Sequence, residues 1–206
     1  MVASSFWLWD KPSWGEAELW ALAILVIPSW FLHRGGSRFI TGLILGKDKR
    51  WSTSKASVVL WTYAILFAFI AILLHTQGAG LNDVKLSEQY LLLLGIPAAA
   101  AVTAAGATQS NVASGKLTKT PASQPPSAVQ GIGQLVSDDA GNADLLDAQY
   151  LAFSALLLAY FLMQFLTAES VTLPTLPETL VGLTGVSAAG YIAKKTLEKD
   201  PPPVTP

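Results

Sequence analysis

Long apolar runs separated by polar, mostly basic segments set the pattern of this chain. The clearest is ASVVLWTYAILFAFIAILLH, Ala56 to His75, which carries no formal charge. Its length of about 20 residues matches what is needed to cross a hydrocarbon core at about 1.5 Å per residue. Runs of similar character follow at Gln89–Ala107, Gln149–Ala168 and Thr179–Ala193, the last short and rich in Gly, Ser and Ala. A weaker run, Ala17–Leu32, contains Glu18 and Pro28 and reads either as a kinked span or as a re-entrant helix. The pattern predicts an all-α integral membrane protein with about five transmembrane helices.

Self-similarity along the chain refines that picture. LSEQYLLLLGIPAAAAVTAA, from Leu86, aligns without gaps with LPETLVGLTGVSAAGYIAKK, from Leu176. Glu88 falls opposite Glu178, Leu93 opposite Leu183, Gly95 opposite Gly185, and Ala98–Ala99 opposite Ala188–Ala189. The preceding spans align more weakly, with Trp61-Thr62 opposite Phe153-Ser154. A duplicated helical hairpin is therefore expected, residues 56–107 forming the first copy and 149–195 the second, the two parallel and related by an axis along the membrane normal.

Small residues recur at the same place in both copies. Gly95 with Ala99, and Gly185 with Ala189, are spaced i and i+4, the pattern that lets transmembrane backbones approach closely. They are expected to form a helix-packing seam between the third and fifth spans, with a pore wall as the competing reading. Glu88 and Glu178 open those two spans, where a carboxylate meets the positive end of the helix dipole favourably by about 0.3–1 kcal/mol. The competing reading makes them a cation-concentrating pore mouth. Neither span carries an ionisable residue deeper along its length, which favours the capping role.

Charge distribution sets the orientation. Eleven of the 13 Lys and Arg residues fall in the segments 34–55 and 108–148 and after the last span, leaving Lys11 and Lys85 on the opposite side. Cytoplasmic loops retain such positive charge, so the N-terminus is expected outside and the C-terminus in the cytoplasm. The start of the chain lacks the basic segment of a secretory signal and reads as mature protein. All seven tryptophans lie within the first 61 residues; Trp7, Trp9, Trp14 and Trp20 are expected to anchor the outer end of span one at the headgroup level. Residues 1–15 thus form a Trp-rich interfacial N-terminus and 16–33 the first, transmembrane or re-entrant, helix. Residues 34–55 form a basic segment lying on the inner surface.

The polar stretch 108–148 is expected to be a flexible cytoplasmic loop. Its first half is rich in Ser, Thr, Gln, Pro and Gly with little to bury. Its second half holds Asp138, Asp139, Asp144 and Asp147, whose spacing departs from a calcium loop and suits helix starts instead. Residues 196–206 read as a disordered cytoplasmic tail.

Composition narrows the functional classes. Charged residues make up 13% of the chain, against about 25% in soluble domains. A net charge of −1 gives no electrostatic basis for nucleic-acid binding. With no cysteine, and with His33 at the inner end of span one and His75 at the outer end of span two, no thiol chemistry, catalytic triad, histidine metal site or phosphate loop can be drawn. No metal or other cofactor is expected.

The basic-flanked WSTSK before LWTYAILFAF, with LPETLVGLTGVSAAGYIAKK closing the core, resembles a group of small, uncharacterised polytopic bacterial membrane proteins over roughly residues 50–196. The resemblance implies a bacterial inner-membrane location and no activity. The sequence thus points to a non-enzymatic membrane scaffold or anchor whose partners are the lipid bilayer, a cytoplasmic protein contacting the 108–148 loop, and further copies of the chain. The alternative is an oligomeric channel or transporter subunit.

Overall fold

A computed structural model describes residues 11–34, 39–46, 50–82, 84–114, 128–137 and 142–197. Among these, all regular structure is helical: α1 (Trp14–Arg34), α2 (Phe39–Ile44), α3 (Thr53–Thr76), a 3₁₀ turn at Ala79–Asn82, α4 (Glu88–Ala113), α5 (Ala128–Gln134), α6 (Leu145–Ala168) and α7 (Glu178–Leu197). Four helices are long and apolar enough to cross a membrane, over Trp14–Leu32, Thr53–Thr76, Glu88–Ala107 and Leu145–Ala168. The expected fifth span, α7, has 20 residues. It is diluted by Gly, Ser and Thr and ends in two lysines, so it falls outside that apolar set.

Local chemistry fixes where the helices begin. At α1, Ser13 and Glu16 form a capping box: the Ser13 N–H donates to Glu16 Oε2 at 2.8 Å, and the Glu16 N–H donates to Ser13 Oγ at 3.4 Å. This satisfies two of the amides that a helix start leaves without partners. Pro28 lies inside α1, which runs unbroken for 21 residues, so the chain here forms one continuous helix. At α6, Asp144 is the cap, accepting from the N–H groups of Leu146 at 2.9 Å and Asp147 at 3.0 Å. The other end of α3 closes on Gln77, in the left-handed region at φ 52°, followed by Gly78 at φ 90°. The Gly78 N–H donates back to the Leu73 carbonyl at 3.0 Å, as in a helix-terminating Schellman turn.

Four helices pack as a ring, with α3 against α4, α4 against α7, α7 against α6 and α6 against α3, while α1 lies along α3. Ala17, Ala21 and Ser29 form the buried face of α1, and the Ser29 and Tyr63 hydroxyls meet at 3.1 Å. The rest of α1, including Leu19, Trp20, Ile24, Ile27 and Phe31, is exposed. Exposed apolar side chains on an outer helix suit contact with lipid.

The two ends of the ring differ in chemistry. One end gathers Trp14, the His75 end of α3, and the starts of α4 and α7. There the Tyr90 hydroxyl donates to the Pro174 carbonyl and the Leu176 N–H to Gln89 Oε1, which ties the lead-in of α7 to the first turn of α4. Next to this end the core is aromatic: Phe161 lies 6.1 Å from Trp61, 5.8 Å from Tyr90 and 6.1 Å from Phe165 between ring centroids. The opposite end, around Trp51, is polar.

The repeat seen in the sequence is only partly matched by packing. Glu88 and Glu178 do begin α4 and α7. The buried faces, however, run Tyr90, Leu93, Pro97 and Ala100 on α4 and Val181, Thr184, Ala188 and Tyr191 on α7. These four α7 positions fall one residue later than the alignment pairs them, a turn of about 100° about the helix axis, although Ser187, the partner of Pro97, is buried as well. Leu183, the sequence partner of buried Leu93, points outward. Thr184 faces inward instead, its hydroxyl satisfied by the Leu180 carbonyl at 2.9 Å, so no polar group is stranded.

The 108–148 segment departs from a uniformly flexible loop. Helix α4 continues to Ala113, α5 occupies Ala128–Gln134, and Ser137 bridges to Ala143 before α6. Short-range turns and contacts with Trp51 and Thr53 hold this second half, features that low local hydrophobicity does not reveal. Residues 115–127 and the tail 198–206 lie outside the described residues.

Candidate functional site

The polar end of the ring is built on the WSTSK segment, where several residues fasten a neighbouring piece. Trp51 forms a bridge with Leu45 and donates its backbone N–H to Gln134 Oε1 at 3.0 Å. The Ser52 N–H reaches the Ile44 carbonyl at 3.0 Å. Thr53 Oγ1 donates to the Leu135 carbonyl at 2.8 Å, and Lys55 Nζ to the Leu45 carbonyl at 2.7 Å. The Trp51 indole also lies on Gly131, where any Cβ would run into the ring. Helices α2 and α5 are thereby held to the start of α3.

Inside this cover lies a cluster of buried polar side chains. Ser54 and Ser57 share one face of α3, Asp147, Tyr150 and Ser154 one face of α6, and Ser187, Tyr191 and Lys195 one face of α7. The i, i+3, i+4 and i+7 spacings that bring apolar residues to one face of a helix do the same here for hydroxyls and charges. Tyr150 and Tyr191 stack with centroids 5.8 Å apart, and the Tyr191 and Ser54 hydroxyls lie 3.4 Å apart.

One ammonium joins the two helix ends. Lys194 Nζ stands 2.6 Å from Asp144 Oδ2 and 3.3 Å from Asp147 Oδ2. Asp144 and Asp147 open α6 and Lys194 closes α7, so each charge meets the helix end of opposite polarity. Burial pushes the Asp144 carboxyl up, but hydrogen bonds from Lys194 and from the Asp147 and Leu146 amides outweigh it and leave the carboxyl below its ordinary value of 3.8. Asp147 lies deeper, and its Oδ1 has no protein partner.

Comparisons with family models, curated proteins and solved structures each find no match.

The residues singled out from sequence are placed as follows. Helices α4 and α7 are neighbours, but Gly95 has no heavy atom outside its own helix within 4 Å of where a Cβ would sit, and Ala99 and Ala189 are exposed. Gly185 alone faces the partner helix, 3.6 Å from Ile96 Cδ1. The contact runs instead through Ile96, Ala100, Ala188 and Ile192, next to Tyr150 and Tyr191. The small Ala100 and Ala188 side chains let the two helices approach closely, flanked by Ile96 and Ile192.

Glu88 and Glu178 are exposed, at the starts of parallel neighbouring helices. Trp14 is half-buried and stacks on His75 at 4.0 Å, with the imidazole Nδ1 3.0 Å from the Pro12 carbonyl, so it makes a tertiary contact between α1 and α3. Trp20 is exposed on α1; Trp7 and Trp9 lie outside the described residues. No three His, Asp or Glu side chains gather as a metal site among the described residues.

Sequence reading missed the buried polar cluster. Asp147 looked like one more helix-starting acid, and single serines in apolar runs carry no distinguishing signal. The i, i+3, i+7 recurrence of Asp147, Tyr150 and Ser154 on a single span was the trace available.

Proposed function

We propose that this chain is a non-enzymatic scaffold or anchor of the bacterial inner membrane. It crosses five times, with α1, α3, α4, α6 and α7 as spans, the N-terminus outside and the C-terminus in the cytoplasm. Its core descends from a duplicated hairpin, α3–α4 and α6–α7. The Trp51 end, with the 108–148 segment, faces the cytoplasm and meets protein partners there; the outer surface of the helices meets lipid.

The observation that carries this reading is the filled centre of the ring. Trp61, Tyr90, Phe161 and Phe165 occupy it as one contact cluster, which leaves a single chain closed to ions. Five crossings are supported by the length of α7, about 30 Å for a helix of this size, and by its packing against α4 and α6. The cytoplasmic assignment rests on Arg50, Lys55, Lys194 and Lys195 lying at the Trp51 end.

The competing reading, an oligomeric channel subunit, draws on one arrangement: Glu88 and Glu178 are exposed on adjacent parallel helices at one end of the ring. Ion flux through liposomes separates the two. Purified protein should conduct no measurable cation current, and the double change Glu88→Gln with Glu178→Gln should leave permeability unaltered. A wild-type cation conductance that falls in the double variant makes the two carboxylates a pore mouth and displaces the scaffold.

A further inference from the structure

Helix α1 is joined to the rest of the molecule by a narrow seam. It lies along α3, and its buried positions are the small residues Ala17, Ala21 and Ser29, which bring backbones close but interlock little. Each end of the seam has a fastener. Towards the Trp51 end, the Ser29 and Tyr63 hydroxyls meet at 3.1 Å. At the other end Trp14 stacks on His75, with centroids 4.0 Å apart and planes 18° from parallel, and meets Phe165 of α6 edge-on at 6.4 Å. His75 Nδ1 lies 3.0 Å from the Pro12 carbonyl. One imidazole thus grips both the first residue of α1 and the segment that leads into it.

The first fastener joins two hydroxyls; the second contains a titratable group. A carbonyl only accepts, so Nδ1 must carry a proton to bond Pro12. A neutral imidazole carries it there in one of two tautomers, whereas the charged form always does. The charge also makes that hydrogen bond charge-assisted, and places a cation over the indole face, which attracts it. His75 lies in the last turn of α3, where a cation meets the negative end of the helix dipole. All three effects have one sign. Among the described residues, the charged groups at this end are Lys11, Glu16 and Glu18 on the α1 side, Glu169 closing α6, Lys85 and Glu88 at the start of α4, and Glu178 at the start of α7. The turn at Ala79–Asn82 carries none. Carboxylates prevail in this set, so the surroundings do not oppose a positive imidazole.

We propose that the Trp14–His75 contact is an acid-strengthened clasp: it holds the outer half of α1 on the helix ring while the imidazole is charged, and slackens as pH rises and the charge is lost. Helix α1 is then an arm hinged near Ser29, where the second fastener has no such dependence. The proposed orientation sets which compartment's pH is sensed. The clasp itself stands on the stacking and hydrogen-bond geometry and holds equally for a scaffold or a channel subunit.

Distance measurement between two spin labels on the full-length protein in lipid nanodiscs tests this. Leu19 on α1 and Leu166 on α6 are exposed, 69% and 46%, and the native chain has no cysteine, so Leu19→Cys with Leu166→Cys gives one labelled pair beside the clasp. At about pH 5.5, on the acid side of the ordinary imidazole range, a single narrow distance is expected. At about pH 8 a second, longer component should appear, with the ratio of clasped to released arm falling several-fold. Adding His75→Gln, which keeps an N–H donor for Pro12 but takes no charge, should make the ratio the same at both pH values. A wild-type ratio that does not change with pH, or that moves towards release on acidification, would overturn the clasp. So would a change that persists undiminished in His75→Gln, since another group would then be its source.

Discussion

At the scale of single residues, the Lys194 ammonium holds two carboxylates of different exposure. Replacing Lys194 with Met removes the ammonium that touches buried Asp147 and leaves only Lys195 as a nearby cation. Breaking one partner of a buried pair costs about 3–5 kcal/mol, so a large fall in thermal midpoint is expected in detergent, whereas Asp144→Ala, which removes a cap, should cost about 0.5–2 kcal/mol. The Asp144 carboxyl titrates below 3.8 in the folded chain. Its contribution is therefore complete above that value and is lost as pH falls through the folded value. A stability difference between wild type and Asp144→Asn should accordingly be present at neutral pH and shrink below about pH 4; a difference unchanged down to pH 2 would contradict the assignment. The glycines split in the same way. Gly185→Leu drives a branched side chain against Ile96 and should cost about 1–3 kcal/mol, while Gly95→Leu, facing open space, should leave the melting temperature unchanged. Both glycines stood out in the sequence, but their faces did not. The i, i+4 spacing shows which residues share a side of a helix; only the neighbours decide whether that side turns inward.

Among the elements, α5 is the one that local sequence concealed. Its seven residues, AVQGIGQ, have weak helix preference, and what holds them is distant in the chain: the Trp51 ring on Gly131 and the Thr53 hydroxyl on Leu135. Gly131→Val should displace the indole and release α5, seen as faster protease cleavage between Ser127 and Ser137 with the ring of long helices intact. Cleavage as slow as in wild type would mean that the Trp51 contact does not hold the segment. The long helices, by contrast, were readable because each is a continuous apolar run, and a run of that length has one cheap conformation in lipid. Helix α7 is intermediate. Its boundaries at Glu178 and the terminal lysines were evident, but its buried face was shifted by one residue. The alignment pairs residues by sequence alone, whereas burial follows the neighbours, and α3 is flanked by α1 in a way that α6 is not.

For the whole molecule, an all-helical build with long apolar helices followed from the apolar runs. The closed aromatic centre and the buried hydroxyl stripe did not, because both arise where α3 meets α6, nearly a hundred residues later. The proposed topology has a direct check, since the native chain has no cysteine. A cysteine placed at Gln109 should resist a membrane-impermeant thiol reagent in intact cells and react after lysis; labelling in intact cells would invert the orientation. The ring also imposes an order in time. Helix α4 has its partner α7 only after about 90 more residues are made, a wait on the order of 5–20 s at synthesis rates of about 5–20 residues per second. During that interval the inward face of α4 has only α3 beside it, and Ser57 waits without α6. The half-built chain is thus a distinct molecule in the membrane, open along one side, and it is this species, rather than the finished ring, that an insertion factor would have to shelter.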